Sequence, residues 1–178
     1  MTSGWLPEVF SFSPLSTWPQ KDYGLTVQIK LVYLVDIKSF NLYSIVYVST
    51  AQPDLEEIAI KRMLAEFQGY NDSRNIRGIL LYSQGNFFQV LESEFQNKQV
   101  ILDLYENIKN DGRHYDVIKI LEKQTSAPSF SKYNTAFKAI YKSANIKELY
   151  NFLKEEEKYN PEGYSKIAYL AQKFLALI

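Results

Sequence analysis

From residue 42 onward, short apolar runs that suit strands alternate with spaced apolar stripes that suit helices. Residues 43–50 (YSIVYVST) form a β-branched apolar run and read as a strand buried on both faces. Pro53 and Asp54 open a helix to about Gly69, with acidic Asp54, Glu56 and Glu57 near its positive end. Ile60, Met63, Leu64, Phe67 and Asn71 fall at i, i+3, i+4, i+7 and i+11 and share one face of that helix or its exit. Residues 78–82 and 87–92 flank Ser83-Gln84-Gly85-Asn86, a hairpin with a Gly-containing turn. Val100, Ile101, Leu104, Tyr105 and Ile108 mark a second amphipathic helix, closed by Asn110-Asp111-Gly112. Residues 115–122 and 130–137 then read as two further strands across a Pro-containing loop.

This order is β-α-β-β-α-β plus a fifth strand, an α+β domain of the ferredoxin-like plan. Two amphipathic stretches follow it. Asn145 and Glu148 have capping-box spacing ahead of Ile146, Leu149, Phe152 and Leu153. Asn160-Pro161 restarts a helix carrying Ile167, Leu170, Ala171, Phe174 and Leu175 on one side. Because the strands at 43–50 and 86–92 are apolar on both faces, these two C-terminal helices are expected to cover the sheet face opposite the first two. A dimer surface is the other use for them. Ahead of residue 42, residues 1–24 hold three of the six prolines and both tryptophans without a period, and residues 25–37 alternate as a strand would. The expected division is an N-terminal extension (1–41, accessory or foreign to the native protein), a domain (42–140) and a C-terminal helical pair (141–178).

Composition narrows the chemistry. The 178 residues suit one domain with appendages. Twenty basic and twenty acidic side chains cancel, which argues against a nucleic acid or an anionic membrane as partner. No run approaches the length of a membrane span, and the start does not read as a secretory signal, so the cytoplasm is the expected compartment. The absence of cysteine removes disulfides, thiolate metal sites and a Cys nucleophile, and the single histidine, His114, leaves little room for a His-based metal cage or a Ser-His-Asp triad. No paired carboxylates or nucleophile can be placed in one cleft, so a catalytic role is not expected. Aromatic residues are plentiful instead, with 14 Tyr and 11 Phe.

Three polar side chains interrupt apolar faces. Tyr47 lies mid-strand on the face of Tyr43, Ile45 and Ser49; Gln89 lies between Phe87 and Leu91; Asn71 ends the stripe of the first helix. A buried amide without its hydrogen bonds costs about 1–3 kcal/mol, so these groups need partners. They can satisfy one another or the backbone, or a flat apolar ligand edged with alternating donors and acceptors can satisfy them.

The run YSIVYVS at 43–49, Asn71, RGILLY at 77–82, GNFFQVLE at 85–92 and Asp111-Gly112-Arg113-His114 together resemble the BLUF family of blue-light sensors that use FAD, of the short single-domain type. The resemblance covers roughly residues 42–140. It implies flavin between the first two helices, as FAD with FMN the alternative. By the same resemblance Tyr47 is the photoactive tyrosine, and Gln89 sits between its phenol and the flavin edge. Asn71 holds the ring, while Asp111, Arg113 and His114 lie near the ring and ribityl chain. The face assignment adds Ile79, Phe87 and Ile60 or Phe67 as apolar wall. Tyr133 and Thr135 stand where family members commonly carry Trp and Met on the fifth strand, and are the candidates for signal transmission. Arg77-Gly78 replaces a common Thr-Gly. No effector domain fits in the remaining residues, so the resemblance implies a photoreceptor acting by protein–protein interaction, as a homo-oligomer with a separate downstream response protein. Two other readings stay open: a flavin-binding module without a photocycle, serving as redox or metabolite sensor, and a cofactor-free ferredoxin-like interaction domain.

Overall fold

The computed structural model describes residues 41–134 and 136–178. The N-terminal extension, with the strand expected over residues 25–37, and Thr135 lie outside the described residues. The elements are β1 (Leu42–Ala51), α1 (Glu57–Ser73), β2 (Arg77–Ser83), β3 (Asn86–Glu94), α2 (Lys98–Lys109), β4 (His114–Thr125), β5 (Phe137–Ile140), α3 (Ser143–Tyr159) and α4 (Lys166–Leu175). The strands form one sheet in the order β4-β1-β3-β2-β5, with β5 parallel to β2 and all other pairs antiparallel. This is the ferredoxin-like plan with an added edge strand.

Strand alternation divides the sheet into two apolar faces. Ile45, Tyr47, Leu80, Phe87 and Leu91 point to one side, against Ile60, Met63 and Leu64 of α1 and Ile101 and Tyr105 of α2. Val46, Ile79, Leu81, Phe88 and Val90 point to the other, against Leu149 and Leu153 of α3 and Ile167, Ala168, Ala171 and Leu175 of α4. The C-terminal pair therefore covers the face that the doubly apolar strands left to be covered.

The β2–β3 turn needs two left-handed residues. Gln84 (φ 49°) and Gly85 (φ 78°) supply them, and the strands resume directly with Ser83 opposite Asn86. Gly78 meets a different demand. Its φ is 129°, and a Cβ there would stand 2.0 Å from the Val90 carbonyl oxygen of β3. Gly78→Ala is expected to destabilise the fold by on the order of 3 kcal/mol, from backbone strain and forced strand separation, read as a lower denaturation midpoint.

Several boundaries differ from the sequence expectation, each for a local reason. Pro53 and Asp54 belong to a turn closed by Leu55 N–H on the Gln52 carbonyl (3.1 Å), so α1 starts later, at Glu57. It also runs past Gly69 to Ser73. An internal glycine costs about 1 kcal/mol, and two contacts of the last turns offset it: Gln68 Oε1 accepts from Ala139 N–H (3.1 Å) and Asp72 Oδ1 from Phe137 N–H (3.0 Å). In α2, Val100 is exposed and outside the buried stripe. The strand expected over residues 130–137 is displaced: β5 begins only at Phe137 and runs to Ile140, because the Phe130 carbonyl accepts from both Tyr133 and Asn134 N–H and folds the stretch before it into a tight turn. Tyr133 therefore lies in a turn, not on a strand. Asn145 does not cap α3, which follows Lys142 directly, and Asn160-Pro161 opens only a 3-10 turn (Pro161–Gly163). Ser165 caps α4 instead, its hydroxyl accepting from Ala168 N–H at 3.0 Å.

Candidate flavin site

The centre of the site is a cross-strand pair. Register places Tyr47 of β1 opposite Gln89 of β3 on the α1/α2 face. The phenol donates to Gln89 Oε1, and both side chains are buried. With its carbonyl oxygen engaged, Gln89 has its amide N–H₂ to offer elsewhere. Burial pushes the Tyr47 phenol well above its ordinary pKa, with Tyr105 and the Asp111 charge adding to the effect, so the proton stays on oxygen at neutral pH. The Tyr105 ring packs 5.7 Å from that of Tyr47.

Asn71 occupies the last turn of α1 and is 2% exposed. Among the described residues its Oδ1 has no hydrogen-bond partner. Continuation of α1 beyond Gly69 is what places this amide among the buried residues of the helix. A buried acceptor left unpaired is costly and calls for a partner beyond the described residues.

The turn from α2 into β4 adds a polar group beside this layer. The Arg113 side chain donates to Asp111 through Nε, to Oδ1 at 2.9 Å and Oδ2 at 3.0 Å, and through Nη2 to Oδ2 at 2.5 Å, and its guanidinium lies 5.0 Å from the Phe67 ring of α1. The Arg113 hydrogen bonds hold the Asp111 carboxyl below the usual range. His114 Nδ1 lies 2.8 Å from Ser49 Oγ, and the Phe87 ring meets the imidazole edge-on at 5.9 Å. Burial pushes the His114 pKa down, which favours the neutral ring at physiological pH.

Ile79 is the correction among the site candidates. It pairs with Val90 and faces α3 and α4, whereas its neighbour Leu80 pairs with Gln89 on the α1/α2 face. A one-residue step reverses the side of a strand, so Leu80 and not Ile79 shares the sheet face of Tyr47 and Gln89. Tyr133 also lies on the far side, its ring 5.2 Å from that of Phe152 in α3. Sequence reading passed over Tyr105 as a neighbour of Tyr47, because helix periodicity marks it only as core. It also passed over Glu92, whose place on a doubly apolar strand was the available signal.

A phenol–amide pair, a second buried amide whose oxygen lacks a partner among the described residues and an aromatic-lined layer suit a flat, mostly apolar ring with hydrogen-bonding edges. Residues 42–136 match the family model for sensors of blue-light using FAD, the BLUF family. The chain belongs to the BLUF family. BLUF domains bind flavin, and the orphaned Asn71 acceptor and the Tyr47–Gln89 pair fit that group. The chain is 33% identical over 79 residues to photoactivated adenylate cyclase subunit alpha of Euglena gracilis, which is 44% of this chain and 8% of that protein. It is 30% identical over 91 residues to the blue light- and temperature-regulated antirepressor BluF of Escherichia coli strain K12, or 51% of this chain and 22% of that one. The match thus spans less than a quarter of either curated relative. Among solved structures, the BLUF domain of BlrP1 superposes with a TM-score of 0.57 at 24% identity, covering 77% of this chain and 91% of the other, a likeness of fold.

Proposed function

We propose that this chain is a blue-light photoreceptor that holds FAD between α1 and α2 and signals by rearranging the hydrogen bonds of Tyr47 and Gln89. The observation that carries this reading is the buried Tyr47–Gln89 hydrogen bond, together with a buried Asn71 acceptor that has no hydrogen-bond partner among the described residues. Asn71 and Gln89 hold the polar edge of the ring, Phe87 and Leu80 contribute apolar wall, and Asp111, Arg113 and His114 serve the ring and ribityl side. When bound, flavin supplies the blue-absorbing group and, once excited, an acceptor for an electron and a proton.

The residues divide the remaining work. Tyr47 keeps its proton in the dark because burial disfavours phenolate, so electron and proton are available together. The Gln89 carbonyl receives the phenol's hydrogen bond and is the first stop for its proton. An amide presents a donor at one end and an acceptor at the other, so turning or tautomerising it reverses the pattern offered to the ring. Output passes by protein contact, with the chain acting as a sensor rather than an enzyme, as a homo-oligomer with a separate response protein in the cytoplasm. Residues 42–140 form the sensor unit and residues 141–178 the helical pair that carries the change outward.

Absorption spectra of the FAD-loaded protein before and after blue light test this reading. A small red shift that recovers in the dark is expected in the wild type and is expected to be lost in Gln89→Leu, which keeps the flavin. A bound flavin whose band stays fixed would instead support the sensor without a photocycle.

A further inference from the structure

Glu92 is 1% exposed, on the central strand of the sheet, and takes no part in the flavin site. It lies three residues beyond Gln89 on β3, roughly 10 Å along the strand, and points to the opposite face. Both of its oxygens are held by the β4–β5 connection: Ser129 Oγ donates to Oε1 (2.7 Å) and Ser129 N–H to Oε2 (3.1 Å). Ser44 of β1 also donates to Oε1 (3.1 Å), and Arg77 is the cross-strand neighbour on β2. Burial raises the carboxyl's pKa, opposed by the Ser129 and Ser44 hydrogen bonds and by the Arg77 charge.

The segment that Ser129 begins is locked onto α3. Phe130 is buried on the α3/α4 face, Tyr133 packs its ring on Phe152, and Lys132 pairs with Glu156 at 2.8 Å. Between Gln89 and Glu92, β2 presses on β3 at the Val90 carbonyl, where Gly78 leaves no room for a Cβ. From Gln89 to Glu92 β3 is paired with β1 on one side and β2 on the other, so the two residues belong to one continuously paired stretch of strand.

We infer that Glu92 is a positioning residue for signalling: through its hydrogen bonds to Ser129 it carries a displacement of β3 at Gln89 across the sheet to the 129–133 turn and α3. This inference rests on the photoreceptor reading above. The path runs along one strand, through one carboxylate clamp, and into a packed turn; β5 is not required.

The test is hydrogen exchange of the FAD-loaded full chain in the dark and under blue light, with absorption recorded on the same samples. In the wild type, a light-minus-dark difference is expected at residues 127–134 and 149–156. Ser129→Ala, a substitution at a half-buried position, is expected to keep the flavin shift and to reduce the difference at 149–156 by roughly threefold or more. Ser129→Thr, which restores the hydroxyl, is expected to recover it, and Glu92→Gln to weaken it without touching the shift. A Ser129→Ala protein that loosens the turn in the dark but keeps the full light response at 149–156 would reduce the clamp to an anchor and overturn the inference. A wild type that shifts its flavin band without any change at 149–156 would overturn it as well. If the wild-type band does not shift, the photoreceptor reading itself fails, seen in absorption alone, and the inference falls with it.

Discussion

Tyr47→Phe is expected to bind flavin and to show no reversible red shift under blue light. The substitution removes one oxygen and leaves the ring, so packing against Tyr105 at 5.7 Å is retained. What disappears is the hydroxyl that donates to Gln89 Oε1, and with it the only group in this pair that can release an electron and a proton together. Stability is expected to fall by about 1–3 kcal/mol, because the buried Gln89 carbonyl loses its donor. Light-minus-dark absorption spectra, with a retained flavin band as the control for folding, decide the matter. A shift of wild-type size and recovery would remove Tyr47 from the donor role while leaving flavin binding untouched.

Asn71→Leu is expected to act with opposite signs on the empty and the flavin-loaded protein. Among the described residues Asn71 Oδ1 is buried without a hydrogen-bond partner, so in the flavin-free protein an apolar side chain of similar size is expected to be neutral or stabilising by about 1 kcal/mol. In the loaded protein the same change deletes the amide that meets the polar edge of the ring. Flavin affinity is expected to drop roughly 10- to 100-fold, which corresponds to the about 1.4–3 kcal/mol of a buried hydrogen-bonding group left without its partner. Titration of the flavin-free protein with FAD, beside denaturation of both proteins without flavin, measures the two effects separately. Equal affinity in the two proteins would show that Asn71 does not face the ring.

Much of this fold was legible before any coordinates because its signals are local. The Ser83–Asn86 hairpin depends on two adjacent left-handed residues, and glycine at one of them announces the turn. The two-sided apolar character of β1 and β3 already required helices on both faces, and α3 and α4 supply the second layer. Tyr47 and Gln89 stood out as polar interruptions of apolar strands, each assigned by parity to a face of its own strand; the β1–β3 register is what sets them opposite each other.

Other features have no local signature. Ile79 and Leu80 are both apolar on a strand that is buried throughout, so composition does not say which faces Gln89; only the β2–β3 register does. The stretch 130–137 has strand-like spacing, yet a carboxylate on β3 captures Ser129 and the Phe130 carbonyl closes a turn. Helix α1 passes through Gly69 because Gln68 and Asp72 serve the N–H groups of β5, residues more than sixty positions away.

The sequence by itself determined the order of elements, the two-faced sheet and the identity of the chemically suited side chains, since these follow from periodicity, turn chemistry and residue type acting over a few positions. Only the tertiary structure decided which side chains meet. It joined the Tyr47 phenol to Gln89, left Asn71 Oδ1 without a partner among the described residues and tied Glu92 to Ser129. Those outcomes depend on strand register and on the closure of distant segments, where a one-residue step exchanges one face of the sheet for the other.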